Sequence, residues 1–513
     1  MSALPPDTRV LVVGAGAMGA GIAHVAAVAG HTVYLYDTRA EAVLKGRNTI
    51  ASDLRFLVSK GKLADAAATA ALARVRAITD LAEARDARLA IEAIVEDLEV
   101  KRKLFMGLEV LLGDDAILAT NTSSLSITAM GAALERPGRL AGMHFFNPAP
   151  RMKLVEIVSG LATEPAVAER LHATATAWGK VAVHARSTPG FIVNRVARPF
   201  YAEAQRVLAE GGGAPATLDA ALRDGCGFPM GPFELMDLIG HDVNFAVTKS
   251  VFEACFGDPR YSPSPIQQEL VLAGRLGRKS GQGFYAYGDA AVKPEPHREP
   301  PQRAAGTVAA VGDLGVATAL VRRLEAAGVE VRREHGEGIA AGAGHGWIVI
   351  DGARLALSDG RSATRRAYED GAPNLVLFDL CLDYETTPRI TVARADHCAQ
   401  GAWTAVVGTL QKAGPAVGRI DDVAGMVALR TVAMLANEAA DAVLAGIGSA
   451  ADIDTAMRYG TNYPKGPLAW ADQLGAGFVA DVLANLGRHY SDPRYRVSPL
   501  LQRKGFTGES FHG

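Results

Sequence analysis

Residues 10–37 open with Val10-Leu11-Val12-Val13-Gly14-Ala15-Gly16-Ala17-Met18-Gly19 and close with Val33-Tyr34-Leu35-Tyr36-Asp37. The two apolar runs read as strands and the segment between them as a helix, so the glycines fall in a strand-to-helix turn. Gly14 permits the tight turn, Gly16 removes the Cβ that would hold the backbone away from a pyrophosphate, and Gly19 lets the helix pack closely on its strand. Phosphates would meet free N–H groups at this helix start, with Met18 in the same turn. Asp37, 18 positions beyond Gly19, stands where a carboxylate accepts hydrogen bonds from a ribose 2′-hydroxyl and repels a 2′-phosphate. The expected cofactor is NAD rather than NADP, with Arg39 near enough to soften that preference. Strand, helix, second strand and acid in register carry more weight than the glycine pattern alone.

A length of 513 residues exceeds what one core fills and predicts three or four units. A hydrophobic share of 49% with 21% charged residues is that of an ordinary globular protein. The formal charge of −2 argues against a nucleic-acid binder, whose footprint is basic. Cys226, Cys255, Cys381 and Cys398 are scattered with no CxxC pair, so neither a metal site nor a disulfide framework is expected. Residues 1–8 carry no basic and apolar leader, and no window approaches 18 uninterrupted apolar residues. A cytoplasmic protein with no membrane partner is the expectation.

From residue 9 to about 188, strand-like runs alternate with alanine-rich amphipathic segments, which predicts an α/β Rossmann domain over 1–188. Leu89-Ala90-Ile91-Glu92-Ala93-Ile94-Val95, Ala116-Ile117-Leu118-Ala119-Thr120 and Leu140-Ala141-Gly142-Met143-His144 are further strands of its parallel sheet. Helical patterning over 189–288 predicts an all-α domain. A linker over 289–306 follows, in which Pro294, Pro296, Pro300 and Pro301 forbid a helix or central strand. Over 307–420, Gly312-Asp313-Leu314-Gly315 after an apolar run imitates the first glycine turn, but Asp313 would set a carboxylate against a pyrophosphate. This segment reads as a small degenerate Rossmann-like domain that binds no nucleotide. Residues 421–513 form a second all-α domain that repeats the first. Leu218-Asp219-Ala220-Ala221 matches Ile453-Asp454-Thr455-Ala456, and Pro229-Met230-Gly231-Pro232 matches Pro464-Lys465-Gly466-Pro467, both at an offset of 235. Asp258-Pro259-Arg260-Tyr261 recurs as Asp492-Pro493-Arg494-Tyr495 at 234, so the repetition is an internal duplication.

Three short stretches hold candidate chemistry: Asn121-Thr122-Ser123-Ser124, His144-Phe145-Phe146-Asn147-Pro148 with Glu156 twelve residues on, and Gly190-Phe191-Ile192-Val193-Asn194-Arg195. Ligands of doubly wound sheets gather outside the carboxyl ends of the strands, and Ser123 and His144 both follow strand-like runs. Hydride transfer to nicotinamide needs a base for the alcohol proton, and imidazole titrates near the working pH, so His144 is the candidate. Glu156, in an apolar run where an unpaired carboxylate is costly, would fix the tautomer and stabilise the imidazolium. Ser123 and Asn194 can donate hydrogen bonds to a polarised substrate oxygen, although both types also serve as turn and capping residues.

These stretches, with Phe228-Pro229-Met230-Gly231-Pro232-Phe233-Glu234, resemble the 3-hydroxyacyl-CoA dehydrogenase family over residues 9–287. The resemblance implies a (3S)-3-hydroxyacyl-CoA substrate oxidised to the 3-ketoacyl-CoA, with His144 as base paired to Glu156 and with Ser123 and Asn194 on the reacting group. It places Glu96, Lys101, Asn121, Asn147 and Lys279 around NAD or substrate and Lys60 on coenzyme A, and it implies a homodimer through the helical domains. The linker, degenerate unit and second helical domain resemble the long bacterial members associated with 3-hydroxybutyryl-CoA or, in phenylacetate breakdown, 3-hydroxyadipyl-CoA. The residue equivalent to Asn194 is Leu429, so one active site per chain is expected, the second copy stabilising the fold or replacing a partner subunit. The competing readings are an NAD-linked dehydrogenase of a free 3-hydroxy acid and a non-catalytic, NAD-sensing assembly subunit.

Overall fold

The computed structural model describes residues 1–335 and 346–513; residues 336–345, inside the expected 307–420 domain, lie outside the described residues. The chain divides into two units. The first comprises Met1–Arg195 with Ala445–Thr461, the second Val196–Leu444 with Asn462–Gly513.

In the first unit, β1 (Val10–Val13), β2 (Val33–Tyr36), β3 (Val75–Ala77), β4 (Leu89–Glu92), β5 (Ile117–Thr120), β6 (Leu140–Phe145), β7 (Leu154–Ser159) and β8 (Val181–Arg186) form one sheet. The order is β3-β2-β1-β4-β5-β6-β7-β8. All neighbours run parallel except β6 and β7. The central strands read as unbroken apolar runs because helices cover both faces. Strand order reverses at β1, which sets a ligand crevice beyond the carboxyl ends of β1 and β4. Helix Ala17–Val28 is rich in alanine and glycine, and a Cβ on Gly19 would come within 1.8 Å of Gly14 O. That contact is why the helix can lie so close to its strand.

Helix Ala450–Gly460, from the second helical copy, belongs to this first unit and lies against β7 and β8. Arg186 N–H donates to Ile447 O at 2.8 Å, and a Cβ on Gly460 would meet Leu154 Cδ2 at 2.6 Å.

The second unit holds a seven-stranded sheet: β9 (Val308–Val311), β10 (Val331–Glu334), β11 (Trp347–Ile350), β12 (Ala353–Leu357), β13 (Leu375–Phe378), β14 (Arg389–Arg394) and β15 (Ala416–Arg419). Its order is β10-β9-β11-β12-β13-β14-β15, with β11 antiparallel to both neighbours and β13 antiparallel to β14. At its glycine turn, Asp313 Oδ1 accepts the Gly315 N–H at 2.8 Å, so the chain's own carboxylate takes an amide that a phosphate would need. The proline-rich segment expected as a linker is tied down: Glu299 N–H donates to Val417 O at 2.8 Å and Arg389 Nη1 to His297 O at 2.9 Å. Proline removes donors but leaves carbonyls, and those of Glu299 and Pro300 accept from Gln411 Nε2 at 3.1 and 3.0 Å.

In the same unit, helix Arg198–Ala209 of the first helical copy packs on Ala428–Leu444 of the second. Tyr495 O–H donates to Glu203 Oε2 at 3.0 Å, while Tyr261 O–H donates to Glu438 Oε1 at 2.6 Å. Glu203 with Glu438, and Tyr261 with Tyr495, are repeat equivalents. Such reciprocal contact is the pattern of an isologous interface.

Candidate active site

At the β1 turn, a Cβ on Gly14 would stand 2.4 Å from Ala93 O, whereas a Cβ on exposed Gly16 would meet nothing within 4 Å. The first glycine is required by packing, the second leaves the approach to the helix start clear. No side chain caps that helix. Asp37 Oδ2 accepts the Ala15 N–H at 2.9 Å and Oδ1 the Arg39 N–H at 3.0 Å, which pins the carboxylate beside the turn. Arg39 Nε stands 3.8 Å from it. Glycine cradle, uncapped helix start and fixed acid together fit a dinucleotide with a free ribose 2′-hydroxyl.

The ends of β4 and β5 are joined by a residue that the sequence reading did not single out. Glu92 is fully buried; its Oε1 accepts from Lys101 Nζ at 2.5 Å and from Ile94 N–H at 2.7 Å, and its Oε2 accepts from Thr120 Oγ1 at 2.6 Å. Thr120 Oγ1 in turn accepts the Thr122 N–H at 3.1 Å. Lys101 Nζ also reaches Glu96 Oε2 at 3.2 Å, and Glu96 Oε1 accepts from Thr122 Oγ1 at 2.5 Å and from Ser123 N–H at 3.1 Å. Burial works against the Glu96 carboxylate, but the Thr122 hydrogen bond and the Lys101 ammonium prevail and hold it below the usual carboxylate range. Glu92, Glu96, Lys101, Thr122 and Ser123 thus form one connected polar network. The sequence signal for Glu92 was an acid inside an apolar central strand, which demands a partner.

The register of β6 on β7 sets His144 opposite Glu156, and His144 Nδ1 lies 2.6 Å from Glu156 Oε2. The other carboxylate oxygen, Oε1, accepts the N–H groups of Ile192 and Val193 at 3.1 and 3.0 Å. Phe146 and Phe191 flank the imidazole, with ring centroids at 4.5 and 5.8 Å. Asn121 Oδ1 accepts the N–H of Phe145 at 2.8 Å, and Asn194 Nδ2 lies 3.5 Å from Ser123 O. His144, Glu156, Asn121, Ser123 and Asn194, expected separately from three stretches, therefore come together where β6 pairs with β7 and just beyond the end of β5.

The duplicated copy shows what the same architecture becomes without the imidazole. Asp379, at an offset of 235 from His144, faces Thr391, which stands at the same offset from Glu156. Asp379 Oδ2 accepts the N–H groups of Val427 and Ala428 at 3.1 and 2.8 Å, and Oδ1 that of Leu429 at 2.8 Å. Burial pushes Asp379 up to about 6 against the pull of these amides. In both copies a buried carboxylate caps the entry to the helical domain, supplied by β7 in the first and by the end of β13 in the second. Phe191 and Met426, both buried, also share a left-handed φ of 48° and 55°. Their strain belongs to this helix entry, since it persists where the His–Glu pair does not.

Asn147 is exposed on the loop after β6. Lys60 ends helix Ala40–Ser59 with its ammonium 5.6 Å from the Phe56 ring. Lys279 belongs to the second unit, where its Nζ pairs with Asp242 Oδ1 at 2.5 Å. Among the described residues no group of His, Cys, Asp and Glu is placed to hold a metal ion.

A doubly wound sheet with a nucleotide turn, a His–Glu pair facing each other on β6 and β7 and a duplicated helical region defines a class of NAD-dependent dehydrogenase. Residues 9–188 match the NAD binding domain of 3-hydroxyacyl-CoA dehydrogenase, and residues 190–287 and 425–510 both match its C-terminal domain. Residues 355–423 match the reduced Rossmann-fold domain of 3-hydroxybutyryl-CoA dehydrogenase. The chain belongs to the 3-hydroxyacyl-CoA dehydrogenase family and uses NAD. It is 45% identical to 3-hydroxyadipyl-CoA dehydrogenase of Escherichia coli K12 over 502 residues, 98% of each chain. It is 44% identical to 3-hydroxybutyryl-CoA dehydrogenase of Bradyrhizobium diazoefficiens over 290 residues, 56% of this chain and 98% of the relative. A crystal structure of 3-hydroxybutyryl-CoA dehydrogenase from E. coli K12 superposes with a TM-score of 0.88 at 43% identity, covering 98% of this chain and 99% of that one. No helix among the described residues is long and apolar enough to cross a membrane.

Proposed function

We propose that this dehydrogenase oxidises a short-chain (3S)-3-hydroxyacyl-CoA through His144, with 3-hydroxyadipyl-CoA and 3-hydroxybutyryl-CoA as the substrates to compare. The observation that carries the mechanism is the 2.6 Å contact between His144 Nδ1 and Glu156 Oε2. It leaves Nε2 as the nitrogen that takes the C3 hydroxyl proton. NAD, when bound, supplies the acceptor for the C3 hydride. The proton ends on the imidazole, and Glu156 stabilises the imidazolium. Ser123 and Asn194 hold the C3 oxygen and the thioester carbonyl. Gly14, Gly16, Met18, Gly19 and Asp37 hold the adenosine and pyrophosphate side of the cofactor, while Glu96, Lys101, Asn121, Asn147 and Lys279 serve its nicotinamide side or the substrate. Lys60 serves the coenzyme A phosphates. Full-length similarity to a relative named for 3-hydroxyadipyl-CoA supports the dicarboxylic substrate, and a role in fatty-acid or phenylacetate-type catabolism follows from that reading.

In this reading the chain works as segments 1–188, 189–288, 289–306, 307–420 and 421–513, and the second helical copy stands in for the partner subunit of a homodimer. The reciprocal Tyr–Glu contacts support that substitution. The four cysteines form no disulfide, which suits a cytoplasmic setting. The test is an NADH absorbance assay across short, medium and carboxylated 3-hydroxyacyl-CoA thioesters. His144→Ala is expected to lower turnover by about 10²–10⁴ while NAD affinity is retained. Unchanged turnover removes His144 from the mechanism.

A further inference from the structure

The last turn of helix Ala40–Ser59 carries the first unit's one exposed Phe, Tyr or Trp side chain, that of Phe56, at 49%. A single exposed ring is ordinary on a protein surface. This one is flanked by two cations from different elements: Lys60 Nζ, at the same helix end, stands 5.6 Å from the ring centroid, and Arg151 Cζ, on the loop between β6 and β7, stands 5.9 Å from it. Among the described residues no carboxylate lies within 4 Å of either cation. A helix C-terminus favours a cation at Lys60 whatever the function. It gives no reason for Arg151, which reaches the ring from the loop that follows His144. That loop is fixed in place. Arg151 N–H donates to Pro148 O at 3.0 Å, and Lys180 Nζ holds the carbonyls of Ala149 and Met152, on either side of Arg151, at 2.5 and 2.9 Å. A Cβ on Gly21 would meet Ala149 Cβ and Pro150 Cδ at 3.1 Å, so helix Ala17–Val28 lies directly against the same loop.

A half-exposed ring between two cations without countercharges offers what a nucleotide head needs, a planar face for the base and positive charge for the phosphates. The cofactor's own adenosine is not the occupant. Its ribose belongs at Asp37, just before this helix begins, and Phe56 lies 16 residues, about 24 Å, along the helix from Ala40. We propose that Phe56, Lys60 and Arg151 hold the adenosine phosphate head of coenzyme A, with the adenine against the ring and the phosphates between the two cations. The assignment rests on the acyl-CoA reading above and extends it: Lys60 entered there by resemblance, whereas the ring and the guanidinium are read from their contacts. The segment from His144 to Arg151 then serves both ends of the substrate, with the base at one end and a head cation at the other.

Two measurements on the full chain test the assignment, with Phe56→Ala and Arg151→Gln as exposed changes that keep the fold. The first compares kcat/KM for 3-hydroxybutyryl-CoA with that for its N-acetylcysteamine thioester, which keeps the reacting group and lacks the nucleotide head. Each variant should lower the ratio of the two by about tenfold, the order that base stacking or a charge-assisted phosphate contact carries. The second is calorimetric titration with adenosine 3′,5′-bisphosphate under saturating NAD, which fills the β1 crevice. Saturable binding that weakens with salt and falls about tenfold in either variant is expected. An unchanged ratio in either variant, no saturable heat from the bisphosphate, or heat that vanishes once NAD is present would each overturn the proposal. The two readings fail separately: bisphosphate binding that depends on Phe56 and Arg151 in a chain that oxidises no acyl-CoA upholds the head site and overturns the reaction, while turnover of the CoA thioester with an unchanged ratio does the reverse.

Discussion

Glu156 divides its two oxygens between a ring nitrogen and a helix entry, which makes it less replaceable than a simple orienting acid. An amide in its place keeps one acceptor but turns an NH₂ group on either the imidazole or the N–H groups of Ile192 and Val193. Glu156→Gln is therefore expected to lower kcat by about 10²–10⁴, as loss of the tautomer-fixing acid does elsewhere, and to cost about 1–3 kcal/mol in urea unfolding. A variant with normal stability and normal kcat would show that neither contact matters. Glu92 and Lys101 make a second residue-scale case, because both are at most 1% exposed. Removing Lys101 strands the buried Glu92 carboxylate at about 3–5 kcal/mol, whereas Glu92→Gln leaves the ammonium its 3.2 Å contact with Glu96, so Lys101→Met should destabilise more than Glu92→Gln. The double variant should lose less than the sum, and strict additivity in a double-mutant cycle would refute the pairing. His144 and Glu156 were legible in the sequence because each stood in a recognisable short stretch. Glu92 was not, since its partner comes nine residues later on a helix and only the fold joins them.

Between β6 and β7, the loop that carries Asn147 is stapled by Lys180, whose Nζ donates to Ala149 O at 2.5 Å and Met152 O at 2.9 Å. Burial lowers this lysine from 10.5 to about 8, so the unfolded chain holds the proton to higher pH than the folded one. Between those two values the unfolded state binds more protons, and stability must rise with pH across that window. Relative to Lys180→Met, the unaltered chain should gain up to about 3 kcal/mol in urea unfolding on passing from below pH 8 to above pH 10.5. A constant difference between the two proteins would show that the ammonium is not desolvated. At this scale the alternation of strands and helices was legible from apolar periodicity, as was the glycine turn of β1. The grouping of Ala450–Gly460 with β7 and β8 was not, because a helix's periodicity reveals that it has a buried face but not which sheet covers it.

The duplication, visible as words repeated at a fixed offset, gives the molecule its economy: one copy keeps imidazole, acid and amide, the other keeps only the cap, the strained helix entry and the packing face. Asp379, Thr391 and Leu429 stand at the positions equivalent to His144, Glu156 and Asn194. Helix Arg198–Ala209 finds its cover in Ala428–Leu444, and β7 and β8 find theirs in Ala450–Gly460. Both covers come from residues beyond 288, so a fragment of residues 1–288 would expose the helix face and the sheet face together. Large exposed apolar faces are buried by association, and a second copy of the fragment offers the matching surface. Sedimentation equilibrium should therefore show the 53.7 kDa chain as a single copy and the 1–288 fragment as a concentration-dependent dimer of roughly twice its own mass. A stable monomeric fragment, or a full chain that dimerises and loses that dimer on Arg430→Met, would mean that the repeat does not replace a partner. Arg430 is the sensitive position because its buried guanidinium holds Glu203 at 2.8 Å and Glu210 at 3.0 Å across the paired helices. If the pairing is internal, Arg430→Met should leave the mass unchanged and lower stability by about 1–3 kcal/mol, the cost of lost hydrogen bonds to buried carboxylates, since Glu203 keeps Arg206 as a countercharge.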